Sequence, residues 1–205
     1  MTGLWVILAI VVLLALAFVA SYNRFVLQRN LVQESWRQID VELKRRHDLI
    51  PNLVETVRGY ATQERTVLQA VTDARASAMQ TAASGVAAQA QAETQLGRAL
   101  GNLFAVAENY PDLKSSQNFL ALQQQLAETE DRIAAGRRFY NNNVRALNTR
   151  VEAFPSSIIA GMFGFTKADY FEVDDAAERA PVNVDFSSLG GSPAAQPPQS
   201  GQQPG

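Results

Sequence analysis

The chain contains no cysteine and a single histidine. The first absence excludes disulfides, thiolate metal sites and a cysteine nucleophile, while leaving the redox compartment open. The second leaves His47 without a nitrogen partner for a metal, which would need two or more further ligands. Di-metal sites in helix bundles use Glu-x-x-His, and the residue three before His47 is Lys44. An excess of positive charge is missing too. The net charge of −2 offers none of the basic footprint that nucleic-acid binding asks for. No Gly-rich nucleotide loop of the kinase type is present. From these gaps no nucleic acid, no cofactor, no metal and no catalytic residue is expected.

Charge is also missing from the start of the chain. Leu4–Ala20 is 17 residues without a charged residue or a proline. Extended through Gly3 and Ser21 it reaches about 20 residues, roughly 30 Å of helix, which matches the hydrocarbon core of a bilayer. The rival reading is a cleaved signal peptide, because Ala15-Leu16-Ala17 resembles a cleavage site. Against it, no Lys or Arg precedes the apolar run, and the run continues to Ala20. A retained transmembrane anchor over residues 1–21 is therefore expected, touching the lipid bilayer through residues 4–21. Arg24, Arg29 and Arg37 follow it closely. Cations stay on the cytoplasmic side, so the amino terminus should lie outside and the rest of the protein in the cytoplasm.

What is present beyond the anchor is helical periodicity. Apolar or small residues recur at Val32, Trp36, Ile39, Leu43, Ile50, Leu53, Val57, Tyr60, Val67, Val71 and Ala74, with Arg46 and Glu64 in the same register. Steps of three and four residues describe the seam of a helix packed on other helices, of coiled-coil type. Four stretches follow the anchor, over about 22–47, 51–83, 86–109 and 117–153, and Pro155 ends the last. Pro51 lacks a backbone donor and biases Ile50 away from helix. A continuous helix from Tyr22 to Ala83 would be about 90 Å long and would outrun partners of roughly 35 and 55 Å. The chain is thus expected to turn at Pro51, with Asn52 near the start of the second helix. The expected fold is all-α: a single N-terminal transmembrane helix, an antiparallel up-and-down four-helix bundle over 22–154, an irregular aromatic and acidic segment over 155–189, and a disordered tail over 190–205. The tail carries no charge and no large apolar residue, so it cannot bury enough surface to offset the entropy of ordering. Val182–Phe186 alternates like a short strand or an extended docking segment.

The candidate site gathers around the proline: Arg45, Arg46, His47, Asp48, Pro51, Asn52 and Glu64. Lys44-Arg45-Arg46 could bind anionic headgroups or a phosphate. It lies some 35 Å along a straight helix from the anchor, however, well beyond a Debye length. An ion pair is the preferred reading, with Arg46 meeting Glu64, Glu108 or Glu130, because buried charges are tolerated mainly when paired. Tyr140, Asn141 and Asn143 are expected to fix helix register, since asparagine is a poor helix-interior residue that can hydrogen-bond across a seam. Tyr110, Pro111 and Asp112 mark a loop. Tyr170, Phe171 and Glu172 are the expected docking segment, a mobile element that binds a partner.

The run Arg45-Arg46-His47-Asp48-Leu49-Ile50-Pro51-Asn52-Leu53-Val54 resembles the signature of the bacterial LemA family. Tyr22-Asn23 with Arg29-Asn30, Glu108 to Lys114 (ENYPDLK), Asn118-Phe119, Glu128-Thr129-Glu130, Arg137 to Asn141 (RRFYN), Phe154-Pro155 and Tyr170-Phe171-Glu172 agree with it. Two departures are Ser115-Ser116 and Asn142-Asn143. The resemblance spans about residues 5 to 186 and implies a membrane-anchored helical bundle facing the cytoplasm at the bacterial inner membrane. It implies no enzymatic activity. The expected function is a scaffold or adaptor for an unidentified membrane or cytoplasmic protein, and a homo-oligomer is compatible with it. Members often lie beside genes for HtpX-type membrane proteases, so an accessory partner of such a metalloprotease is the alternative. A metalloenzyme of the bundle core is the alternative of another class.

Overall fold

The computed structural model describes residues 1–172, and among these all regular structure is helical. The reading of 190–205 as a disordered tail and of Val182–Phe186 as a strand or docking segment lies outside the described residues, as does the acidic run beginning at Asp174.

The first helix, α1, runs Thr2–Tyr60 without interruption, 59 residues or about 90 Å. It is exposed throughout up to Ala20, and its first buried side chain is Phe25. From there the buried face reads Phe25, Val32, Ser35, Ile39, Leu43, Arg46, His47, Ile50, Leu53, Val54 and Val57, the three-and-four spacing expected of a packed seam.

The expected turn at Pro51 does not occur; α1 continues through it. A proline inside a helix leaves the carbonyl four residues back without its donor, here that of His47. Arg75 supplies a replacement, its Nε donating to the His47 carbonyl at 2.7 Å. The chain turns instead at Ala61–Glu64, where Ala61 N–H closes on Val57 O at 2.8 Å and Glu64 N–H on Ala61 O at 3.2 Å. Glu64 therefore does not continue the seam of α1.

After this turn come α2 (Arg65–Thr81) and α3 (Val86–Ala107), joined through Gly85 at φ 99°, a left-handed backbone that glycine adopts without strain. A single turn, α4 (Pro111–Lys114), starts on proline and buries Leu113. The long α5 (Gln117–Glu152) then packs along α1. The short α6 (Ser156–Phe163) lies inside the segment expected to be irregular. It ends at Gly164, φ 70°, with Phe165 N–H bonded to Ala160 O at 3.0 Å.

The core divides in two. The distal cluster is mainly aliphatic: α1 from Ile50 to Val57 with Leu68, Val71, Leu96, Leu100, Leu103 and Leu126, and one buried ring, Phe119. The proximal cluster, nearer the exposed apolar end of α1, is richer in rings. It holds Phe25, Ile39, Leu43, Ile133, Tyr140 and Val144 with Ile159, Phe165 and Phe171 from the carboxy-terminal segment. Helices α2 and α3 cover mainly the distal part of α1, so the length mismatch that argued for a break at Pro51 is met by other means. The C-terminal segment takes the place that helices hold elsewhere.

Candidate functional site

Between the two apolar clusters lies a layer of buried polar side chains. On α1 it falls at Arg46 and His47, between Leu43 of one cluster and Ile50 of the other. Helix α3 contributes Gln89 and Glu93, and α5 contributes Thr129 and Glu130. Glu93 is the centre. Its Oε1 takes hydrogen bonds from Gln89 Nε2 at 2.8 Å and pairs with His47 Nε2 at 2.8 Å. Its Oε2 faces Arg46 Nη1 at 3.5 Å. Arg46 Nη2 reaches Glu130 Oε2 at 3.2 Å, at the edge of the layer where that carboxylate meets solvent. The Glu93 side chain is 1% exposed, so its charge is held by Arg46 and by donors and not by water. Gln89 in turn accepts from Thr81 Oγ1 at 3.2 Å, which ties in the end of α2.

Of the candidates gathered around the proline, Arg46 and His47 are the buried ones. Arg45, Asp48, Pro51 and Asn52 are exposed. Glu130 is a partner of Arg46, as one of three carboxylates proposed for it. Glu64 and Glu108 are not. Glu64 accepts from Tyr110 Oη at 3.1 Å, which fastens the loop before α4 to the turn after α1. Burial, then this hydrogen bond and the Glu64 charge, raise the Tyr110 pKa. Pro111 and Asp112 stay exposed at the start of α4.

Glu93 and Gln89 escaped the sequence reading because they sit in an alanine- and glutamine-rich run. A signal was there: positions 89, 93, 96, 100, 103 and 107 step by three and four, so the α3 seam starts at Gln89.

The second constellation clasps the end of the described chain. Asn141 accepts from Phe171 N–H at 2.9 Å and donates to Phe171 O at 3.2 Å. Asn148 repeats the pattern on Ala168, at 2.9 Å each way. The spacing explains the match. Seven residues of helix rise about 10 Å, and three residues of extended chain cover about 10 Å. Each asparagine amide thus serves as a strand edge for the peptide beside it. Tyr140 Oη donates to Asp169 O at 2.8 Å, and Trp36 holds the rings of Tyr140 and Phe171 at 5.5 and 5.3 Å. Asn143, expected to fix register, donates from Nδ2 to Ser35 Oγ on α1 at 3.3 Å. Phe171, expected in a mobile docking element, is fully buried on the protein's own helices, while Tyr170 and Glu172 face outward. Among the described residues no group of three or more His, Cys, Asp or Glu is placed to hold a metal ion.

These features define a class: an all-helical protein whose exposed apolar amino-terminal helix, long and apolar enough to cross a membrane, runs directly into a core with a buried charged layer. Comparison with known sequences gives the family. The LemA family profile matches residues 35–186, most of the chain, and the chain belongs to the LemA family. Its relatives include the magnetosome protein MamQ 2 of Paramagnetospirillum magneticum, 28% identical over 200 residues, covering 84% of this chain and 74% of the relative. Another is protein LemA of Metamycoplasma hominis, 26% identical over 172 residues, covering 84% of this chain and 77% of the relative.

Proposed function

We propose that this LemA-family chain is a single-pass membrane protein, amino terminus outside, whose helical domain stands in the cytoplasm at the bacterial inner membrane as a scaffold or adaptor without catalytic activity. One observation carries the reading. The apolar stretch and the seam are a single helix, so the membrane segment and the packed domain share one rigid axis. An 18-residue window of it has mean hydropathy 3.0 and none of that window is buried, which fits a surface meant for lipid. The proposal includes an antiparallel up-and-down arrangement of α1, α2, α3 and α5. Contacts that fall on one helix as they rise on the other support it: Ser35 with Asn143, Trp36 with Tyr140, Arg46 with Glu130, and Phe104 with Phe119.

A rigid pillar with a buried charged layer is suited to holding another protein at a fixed height above the bilayer. Crosslinking in native membranes, followed by mass spectrometry, tests this. A reproducible protein partner joined through the helical domain is expected, with the domain protected when protease is added to intact spheroplasts. Digestion from outside would sink the topology, and crosslinks confined to lipid would sink the adaptor role.

A further inference from the structure

At the foot of the apolar run, α6 and the end of α5 form a groove against α1. Its cavity measures about 550 Å³, within the range of small-molecule sites. Leu14, Ala17, Phe18 and Ser21 make one wall, a single stripe of α1 extending about 10 Å along the helix axis. Ile158 and Ile159 of α6 make another, and Arg150 closes the end away from Leu14. The groove is therefore apolar where α1 is apolar, and cationic where the charged part of the chain begins.

Helix α6 has no charged residue, and its outer face is apolar: Ile158 is 56% exposed and Met162 65%, with Phe154 at 83% just before it. Its position relative to the span is fixed by rings, Phe163 lying 5.9 Å from Phe18 and 4.8 Å from Tyr22. An eight-residue helix that touches Phe18 sits at the level where the apolar run ends. An outward apolar face at that level is anomalous in water and ordinary at a headgroup boundary.

Arg150 is the second observation. Its guanidinium lies 5.7 Å over the Phe25 ring, and its Nε is buried with no hydrogen-bond partner among the described residues. Arg24 is near enough for its charge to add to burial in lowering the Arg150 pKa. Two cations close together, one with a buried donor left open, want an anion.

We propose that the groove between α1, α5 and α6 binds an anionic phospholipid of the adjoining leaflet, one acyl chain lying along Leu14, Phe18 and Ile158 and the phosphate on Arg150, with the apolar face of α6 seated in the headgroup boundary. This rests on the membrane-spanning reading of Leu4–Ala20. Continuity with that span favours lipid over a soluble apolar ligand, and the paired cations favour an anionic headgroup over a zwitterionic one.

The absence of cysteine makes the test direct. Full-length protein carrying Met162→Cys, Ile10→Cys or Val41→Cys takes one nitroxide each and is reconstituted in vesicles of phosphatidylglycerol and phosphatidylcholine. The label at 162 is expected to be relaxed by oxygen as at 10, and not by a water-soluble nickel chelate as at 41. If the label at 10 behaves like that at 41, the span itself fails. If 10 is lipid-exposed and 162 is not, only the α6 proposal is overturned. Lipids bearing a nitroxide on the acyl chain then read the headgroup. Unlabelled wild-type protein should immobilise phosphatidylglycerol about fivefold more than phosphatidylcholine, Arg150→Gln should erase the preference, and Arg150→Lys should keep most of it. A preference that survives Arg150→Gln overturns the phosphate assignment. Displacement of the lipid by inorganic phosphate would mark a free-anion site and overturn the lipid assignment.

Discussion

The distal and proximal halves of the core solve the same problem with different material. In the distal half, α1, α2, α3 and α5 converge with the single turn α4, and mainly aliphatic side chains at three-and-four spacing fill the space between them. In the proximal half α1 and α5 remain with the start of α3, but the cover is α6 and an extended chain that, among the described residues, makes no regular backbone ladder. Its backbone groups are met by Asn141, Asn148 and Tyr140, while Phe165 stacks on Phe25 and Phe171 meets Trp36 edge-on. A helix satisfies its own backbone and needs only an apolar stripe. An extended segment needs partners at each exposed amide, and here asparagines two helical turns apart provide them. The difference accounts for Asn141 and Asn148 in the part of α5 that faces the proximal half.

The polar layer between the halves is where the comparison can be broken most sharply. Changing Glu93→Ala leaves Arg46 and His47 buried without their shared carboxylate, and removal of one partner from a buried pair costs about 3–5 kcal/mol. The full-length protein should lose that much in chemical unfolding, and Arg46→Met combined with Glu93→Leu should recover part of it. Additive losses in this cycle would mean that the layer is not a coupled unit. The two clusters would then be one continuous core that merely tolerates charge.

How far the sequence disclosed this depends on the half. The helical character, the end of α5 before Pro155 and the inward placement of Arg46 follow from periodicity and turn chemistry, because each is decided by neighbours within a few residues. The burial of Phe171 is not decided locally. It depends on an amide spacing in α5 matching a peptide spacing some 30 residues later, which no periodicity registers. Asn141 and Asn143 were legible as anomalies in a helix, but their partners were not. The passage of α1 through Pro51 lay between these cases. The unbroken seam register pointed to it, while the argument from helix lengths pointed away. What no local pattern could show is Arg75, on another helix, donating to the His47 carbonyl that Pro51 leaves open.

That donation makes a second prediction, in the distal half. Arg75→Met leaves a carbonyl in the α1 ladder without a donor, at a cost of about 1–2 kcal/mol. Pro51→Ala restores the backbone N–H that would otherwise serve His47 O, so Arg75→Met should cost little in that background. Equal costs with and without proline would show that Arg75 acts through packing of its stem alone.

The smallest effect at neutral pH belongs to the proximal half and grows visible only in alkali. Burial, and then the charge of Asp169, push the Tyr140 pKa from 10.0 up to about 12. A raised phenol pKa means that the folded state favours the neutral form, the form that donates to Asp169 O at 2.8 Å. Below about pH 10 both folded and unfolded chains keep the proton, and the contribution is fully present. Between about 10 and 12 the unfolded chain ionises while the folded one does not, so the contribution declines as pH rises. It is lost once the folded-state value is passed. Tyr140→Phe should therefore cost about 1 kcal/mol near neutrality, from the lost hydrogen bond. Wild type and variant should then converge from about pH 10 upward as the wild-type chain loses its extra stability. Paired unfolding curves at pH 8 and 11 measure this, and the other titrating groups cancel in the difference. A gap that stays constant to pH 11 would place Tyr140 in contact with water. The extended segment would then not be sealed against α5, and the proximal half would owe its cohesion to the ring stack of Phe25 and Phe165 instead of the polar clasp.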